Sequence, residues 1–171
     1  ATSINVGQAF EHRRFKPPAL ENMYVTVNYI EEVHEVIKSG KFHDKSKDFV
    51  KRFHALYPNE TYINMEAANA YNAINLYAKA VEKAGTTDMD KVRRALETGI
   101  SFDGPSGIVR IDPKSHHGSH TIFLVHVDKG HVVKIPKIWE NIEPYWLGEA
   151  GCDLSKKDDY SQYTPSNPPS N

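Results

Sequence analysis

The spacing of hydrophobic residues along this chain switches between two periods. Met23 to Tyr29, MYVTVNY, alternates apolar and polar positions with β-branched and aromatic residues, which predicts a strand. Residues 2–6, TSINV, alternate likewise and meet Gly7, predicting a short strand that ends in a loop. Between the two, Pro17 and Pro18 stop any helix from Glu11 near Lys16. From Asp44 the period becomes helical: Phe49, Val50, Phe53, Leu56 and Tyr57 recur on one side, and Pro58 ends the run. The stretch before it, EEVHEVIKSGKFH, fits either a short helix or an inserted loop.

The most regular helical segment runs from Asn64, placed to cap, to Gly85, where a terminating glycine belongs. Ala67, Tyr71, Ile74, Ala78 and Val81 form one stripe; Ala70, Ala73, Tyr77, Ala80 and Ala84 form a second beside it. Two adjacent stripes predict a helix buried over a wide arc. A further helix follows, capped by Thr87 or Asp88, with Val92, Ala95 and Leu96 inward and Gly99 at its end. Period two then returns: a turn at Asp103–Gly107, a strand over Ile108–Asp112, and strands over Thr121–Val127 and Val132–Ile138 joined through Asp128-Lys129-Gly130. From Glu149 onward prolines and serines outnumber aliphatic residues, which predicts a tail (150–171) loosely ordered or laid along the surface. The order is an α/β pattern with few strands for its helices.

Composition narrows the function classes. With 171 residues, 39% apolar and 25% charged, the chain is long enough for one ordinary domain. A formal net charge of −1 gives no basic stripe for nucleic acid. The longest near-apolar run, Ile122–Val127, is of strand length, far from the roughly 20 residues of a membrane span. One cysteine, Cys152, makes neither an internal disulfide nor a cysteine-based zinc site. The opening ATSINVGQAF has no signal-peptide regions and starts inside a strand pattern, so a processed chain or a piece of a longer one is expected.

Five histidines, His116, His117, His120, His126 and His131, crowd one region. They lack HExxH or CxxC spacing, so solvated loop imidazoles are the simpler reading, adventitious metal binding the rival, and a catalytic zinc site the third. No GxSxG, P-loop or GxGxxG is present. Glu66 falls in the first turn of a helix, where the dipole favours a carboxylate, and Tyr71 and Tyr77 read as core. The stronger candidates are two strand ends, the loop GQAFE over residues 7–11 and Asn28-Tyr29, since ligands collect outside the carboxyl ends of strands in open α/β sheets. Gln8, Glu11 and Tyr29 offer directional hydrogen bonds to a small polar ligand.

The segment NMYVTVNY, the helix MEAANAY…AKAVEKAG, DMDKVRRAL, and FDGPSGIVRIDPKSHH with the hairpin after it occur in an order that resembles the C-terminal portion of type I periplasmic solute-binding proteins. The resemblance covers about Ile4 to Trp146 and is nearest to the urea and short-chain amide binders, with the amide-sensing regulators and branched-chain amino acid binders as relatives. It implies an α/β fold of two three-layer α/β/α lobes, of which this chain is an incomplete C-terminal segment. Residues 1–149 then form the fold portion, with 1–30 and 101–149 in the second lobe and 44–99 supplying first-lobe helices. By the same resemblance Gln8, Phe10 and Glu11 lie in a loop facing the ligand or the partner lobe, Tyr29 at the crossover near the cleft, and Met65 and Glu66 at a helix start near the hinge. The family implies no cofactor, no metal and no catalysis. It implies a small polar solute (amide, urea or amino acid), an ABC transporter permease, and the rest of the protein or a companion chain as partners, in a periplasmic or lipid-anchored extracytoplasmic setting. A cytoplasmic amide sensor of the same fold is the alternative, and a metal hydrolase using the histidines the third reading. Two departures stand out. GQAFEH replaces a serine followed by acidic residues, and the segment with His34 and His43 is longer than in relatives.

Overall fold

The protein is described by a computed structural model that covers residues 22–113, 116–128 and 131–142. The expected strand at 2–6, the loop with Gln8, Phe10 and Glu11, Cys152 and the 150–171 tail lie outside the described residues. The elements are β1 (Met23–Val27), α1 (Val33–Val36), α2 (Lys41–Leu56), α3 (Met65–Ala84), α4 (Met89–Leu96), β2 (Ser101–Gly104), β3 (Gly107–Ile111), β4 (Gly118–Asp128) and β5 (His131–Ile142).

The long strand β4 organises the sheet. It pairs antiparallel with β1 from Met23↔Val127 to Val27↔Phe123, with β5 along most of its length, and with β3 through Arg110↔Ser119 and Ile111↔Gly118. β3 pairs in turn with β2. Strict alternation puts Ser119, Thr121, Phe123, Val125 and Val127 on the buried face. Val25 and Val27 of β1 join them, and Ile30, Val33, Phe42 and Val132 close this core. Phe42 meets Phe123 edge to face, ring centroids 5.4 Å apart. Phe42 comes from the stretch that fitted a loop or a short helix. Both occur there: α1 is one turn, and α2 starts at Lys41 behind Gly40 at φ 89°, three residues before the expected Asp44.

Helix α3 has the caps its sequence calls for. The Asn64 side chain accepts from the Ala67 N–H at 2.9 Å, and Gly85, left-handed at φ 65°, donates its N–H to Val81 O at 2.9 Å. Its buried line, however, is Ala68, Asn72, Leu76 and Ala80, which shares only Ala80 with the two expected stripes. Ala70, Ala73 and Ala78 are exposed, as are Ile74 (68%) and Tyr77 (47%), so Tyr77 is not core. The physical reason is the partner. Among the described residues α3 packs on Phe49 of α2 and on Tyr29 and Ile63 at its first turns, then on the β2–β3 hairpin and α4, surfaces that together cover one line of the helix and leave the rest. Ala80 closes a small core with Val92 and Ala95 of α4, which Asp88 caps as expected by accepting from the Lys91 N–H.

The β2–β3 turn is buried throughout Gly104-Pro105-Ser106-Gly107. A Cβ on Gly107 would meet Thr121 Oγ1 at 2.6 Å, and its φ of 102° suits glycine alone. This close approach wedges the turn against β4. Ion pairs Lys45–Asp103 and Lys41–Glu140 hold α2 against β2 and β5.

Candidate functional site

A groove of about 570 Å³ runs between the outer half of α2 and the lead-in to α3. Phe49, Arg52, Phe53 and Leu56 come from α2, Tyr57 and Glu60 from the connection, and Tyr62, Asn64, Ala67 and Tyr71 from the lead-in and first turns of α3. The volume lies in the range of small-molecule sites. Half of its lining residues are aromatic, three of them because Phe49 and Phe53 of α2 and Tyr57 at its C-cap repeat every fourth position. Phe53 and Tyr57 lie 5.0 Å apart, and Phe49 and Tyr71 also 5.0 Å.

Two charges line this apolar surface. Arg52 lies over the Tyr71 ring, 5.5 Å from its centroid, donating from Nη2 to Tyr71 Oη at 3.1 Å and from Nε to Asp48 at 2.8 Å. The Tyr71 hydroxyl, more than any other neighbour, raises the guanidinium above its usual pKa, so the group is always charged. These two bonds use two of its five N–H groups. Glu60 supplies the anion.

Below the groove lies a small core of Tyr29, Phe49, Ile63 and Ala68. Tyr29 is 1% exposed and meets Phe49 edge to face. Burial first, then the charge of Glu31, pushes its hydroxyl well above the usual tyrosine pKa, and its oxygen has no hydrogen-bond partner among the described residues. Tyr29 therefore stands under the groove, not in its wall. Met65 and Glu66 begin α3 between the groove residues Asn64 and Ala67; Met65 packs on the small core, and Glu66 faces solvent. The structure thus brings Tyr29 and Met65 into one core with Glu66 beside them, while Gln8, Phe10 and Glu11 lie outside the described residues.

Arg52, Glu60 and Tyr62 were not singled out from the sequence. The one available signal was the i, i+4 aromatic repeat with an arginine inside it. Glu31 carried no signal in the sequence.

The histidines disperse. His116 Nε2 lies 2.9 Å from Glu97 Oε1, His126 stacks on Tyr24 at 4.6 Å, and His131 Nδ1 lies 3.3 Å from Glu32 Oε1. Burial lowers the pKa of His120. Among the described residues no three His, Cys, Asp or Glu side chains converge on a point that suits a metal ion. No helix of the described residues is long and apolar enough to cross a membrane.

Comparison with known proteins fits this geometry into a larger fold. A family model for periplasmic binding proteins matches residues 4–131. A leucine binding protein from Thermotoga maritima superposes with a TM-score of 0.57 at 23% identity, over 76% of this chain and 34% of that one. An ABC-transporter solute binding protein from Rhodopseudomonas palustris, solved with 3,4-dihydroxy benzoic acid, gives 0.57 at 18% identity, over 74% and 33%. A leucine-, isoleucine-, valine-, threonine- and alanine-binding protein from Brucella ovis in a closed conformation gives 0.56 at 16%, over 74% and 34%. The chain spans about a third of the length of these solved relatives. By the extent of the family match, the chain belongs to the type I periplasmic binding proteins and carries an incomplete part of their α/β fold.

Proposed function

We propose that this chain is part of the solute-binding component of an ABC transporter, gripping a small polar solute between two lobes and releasing it unaltered to a permease. The observation that carries the reading is the family match over residues 4–131. The remaining lobe structure comes from the rest of the polypeptide or a companion chain, and the setting is extracytoplasmic. A solute shifts the balance between open and closed lobes only by its preference for the closed form. Specificity follows from the buried polar groups that a wrong solute leaves unpaired.

The solute class we propose is an amino acid, a short-chain amide or urea. The groove supports the amino acid most, because Arg52 and Glu60 present opposite charges beside aromatic walls. The similar proteins named as leucine binders point the same way; a hydroxybenzoate, the ligand of others, shares the carboxylate but has no ammonium group for Glu60 to meet. The family resemblance alone proposes Gln8, Phe10, Glu11, Tyr29, Met65 and Glu66 for the ligand-facing side; of these Tyr29 and Met65 would act from the core beneath the groove and Glu66 from beside it, none from its wall.

Thermal-shift titration of the assembled protein with leucine, acetamide, urea and 4-hydroxybenzoate tests this. Stabilisation that grows with the logarithm of one solute's concentration is expected. No shift with any of the four, nor with a wider amino acid panel, refutes it.

A further inference from the structure

Glu31 lies in the turn four residues past the end of β1, with its side chain 15% exposed. One carboxylate oxygen, Oε2, accepts from the backbone N–H of Ile63 at 2.6 Å; the other, Oε1, lies 2.8 Å from His54 Nε2. These partners sit 32 and 23 residues away in sequence. Neither lines the groove, but each adjoins a different wall of it. His54 follows Phe53 on α2, and Ile63 lies between Tyr62 and Asn64 on the lead-in to α3. Ile63 itself is fully buried, so its N–H has no water to turn to if the carboxylate is removed. The next residue, Glu32, reaches His131 on β5 instead. His34 Nδ1, 2.9 Å from the Glu31 carbonyl oxygen, steadies the backbone that carries the side chain.

We infer that Glu31 is a positioning residue: one carboxylate ties the two walls of the groove together from below and fixes their separation. This rests on the solute-binding reading of the groove. The tie needs the reach of a glutamate. Aspartate is one methylene short and cannot meet both partners, whereas glutamine keeps the reach and an oxygen that accepts from Ile63.

Amide hydrogen exchange on the assembled protein tests the tie. In Glu31→Ala the Ile63 amide should exchange at least about tenfold faster, the loss of a charge-assisted bond, while Leu76 and Ala80 of α3 keep their rates. Should the alanine variant fail to fold, Glu31→Asp and Glu31→Gln decide: the aspartate releases Ile63 and the glutamine does not. Equal Ile63 rates in these two, or a rise spread evenly over α3 and α4, overturns the tie. Leucine titration by calorimetry then tests positioning. Its dissociation constant should rise several-fold in Glu31→Asp at temperatures where that variant is folded, and less in Glu31→Gln. Altered exchange with an unchanged leucine constant overturns the positioning role. If leucine fails to bind the unsubstituted protein, the solute reading fails while the exchange rates still decide the tie.

Discussion

Gly104→Ala isolates the packing that seats the β2–β3 turn. A Cβ built on Gly104 stands 2.9 Å from Asn72 Cγ, closer still to Asn72 Oδ1, and 3.0 Å from Phe102 Cε1. Gly104 is not among the residues with positive φ, so an alanine there meets no backbone strain and its whole cost is steric. Asn72, 3% exposed on α3, cannot swing outward without breaking its bond from Nδ2 to Ser106 Oγ at 3.4 Å. Overpacking of this kind costs about 1–3 kcal/mol. The lost buried hydrogen bond adds about 0.5–1.5 kcal/mol, for a total of roughly 1.5–4.5 kcal/mol. Urea unfolding followed by circular dichroism measures it. A double-mutant cycle with Asn72→Ala identifies the source, because that change removes the nearest colliding atoms. The pair should be less destabilised than the sum of the single variants by at least about 1 kcal/mol. A Gly104→Ala variant within about 0.5 kcal/mol of the parent, or strict additivity, refutes the reasoning.

Three further outcomes follow from named groups. Asn64→Ala removes the α3 cap and should cost about 1 kcal/mol in urea unfolding, with Asn64→Asp close to neutral. Tyr29→Phe deletes a buried hydroxyl that has no partner among the described residues; stability should hold or rise, and an unchanged solute dissociation constant would remove Tyr29 from direct ligand contact. Glu32 has its carboxyl pKa raised, chiefly by burial, with His131 opposing. The folded state therefore holds this proton more tightly than the unfolded one. Its contribution to stability is fully present below the ordinary glutamate pKa and is lost as pH rises through the folded value, so Glu32→Gln should flatten the parent's decline across that window in pH-dependent urea midpoints.

How much of this was legible in the sequence differs by element. β1 and β4 were plain because one face of each is core and the other is not, so Val25 and Val27, like Phe123 and Val125, fall in register with their polar neighbours. Even so, β4 begins at Gly118 and β5 runs to Ile142, beyond the expected limits, because ladder pairing carries strands past their apolar stretch. The caps of α3 were readable because capping is chemistry between residues three or four apart. Its buried line was not. The alanines allow several faces, and the choice was made by partners distant in sequence: Tyr29, Phe49 and Ile63 at Ala68, the buried β2–β3 turn at Asn72, and α4 at Ala80. The exposed Ile74 and Tyr77 are what such a choice leaves on a chain that spans a third of its relatives' length. The groove was half legible: its aromatic spacing lies in α2, but its tie through Glu31 joins residues that no local pattern relates.

The central claim is that the protein holds a small solute and leaves it chemically unchanged. Equilibrium dialysis of the assembled protein against isotope-labelled leucine, with mass-spectrometric recovery of the solute from the protein compartment, measures both halves of that claim together. The account predicts saturation at one solute per protein and recovery of intact leucine. Saturable binding of none of the amino acids, amides or ureas tried in leucine's place, or recovery of a converted product, contradicts it.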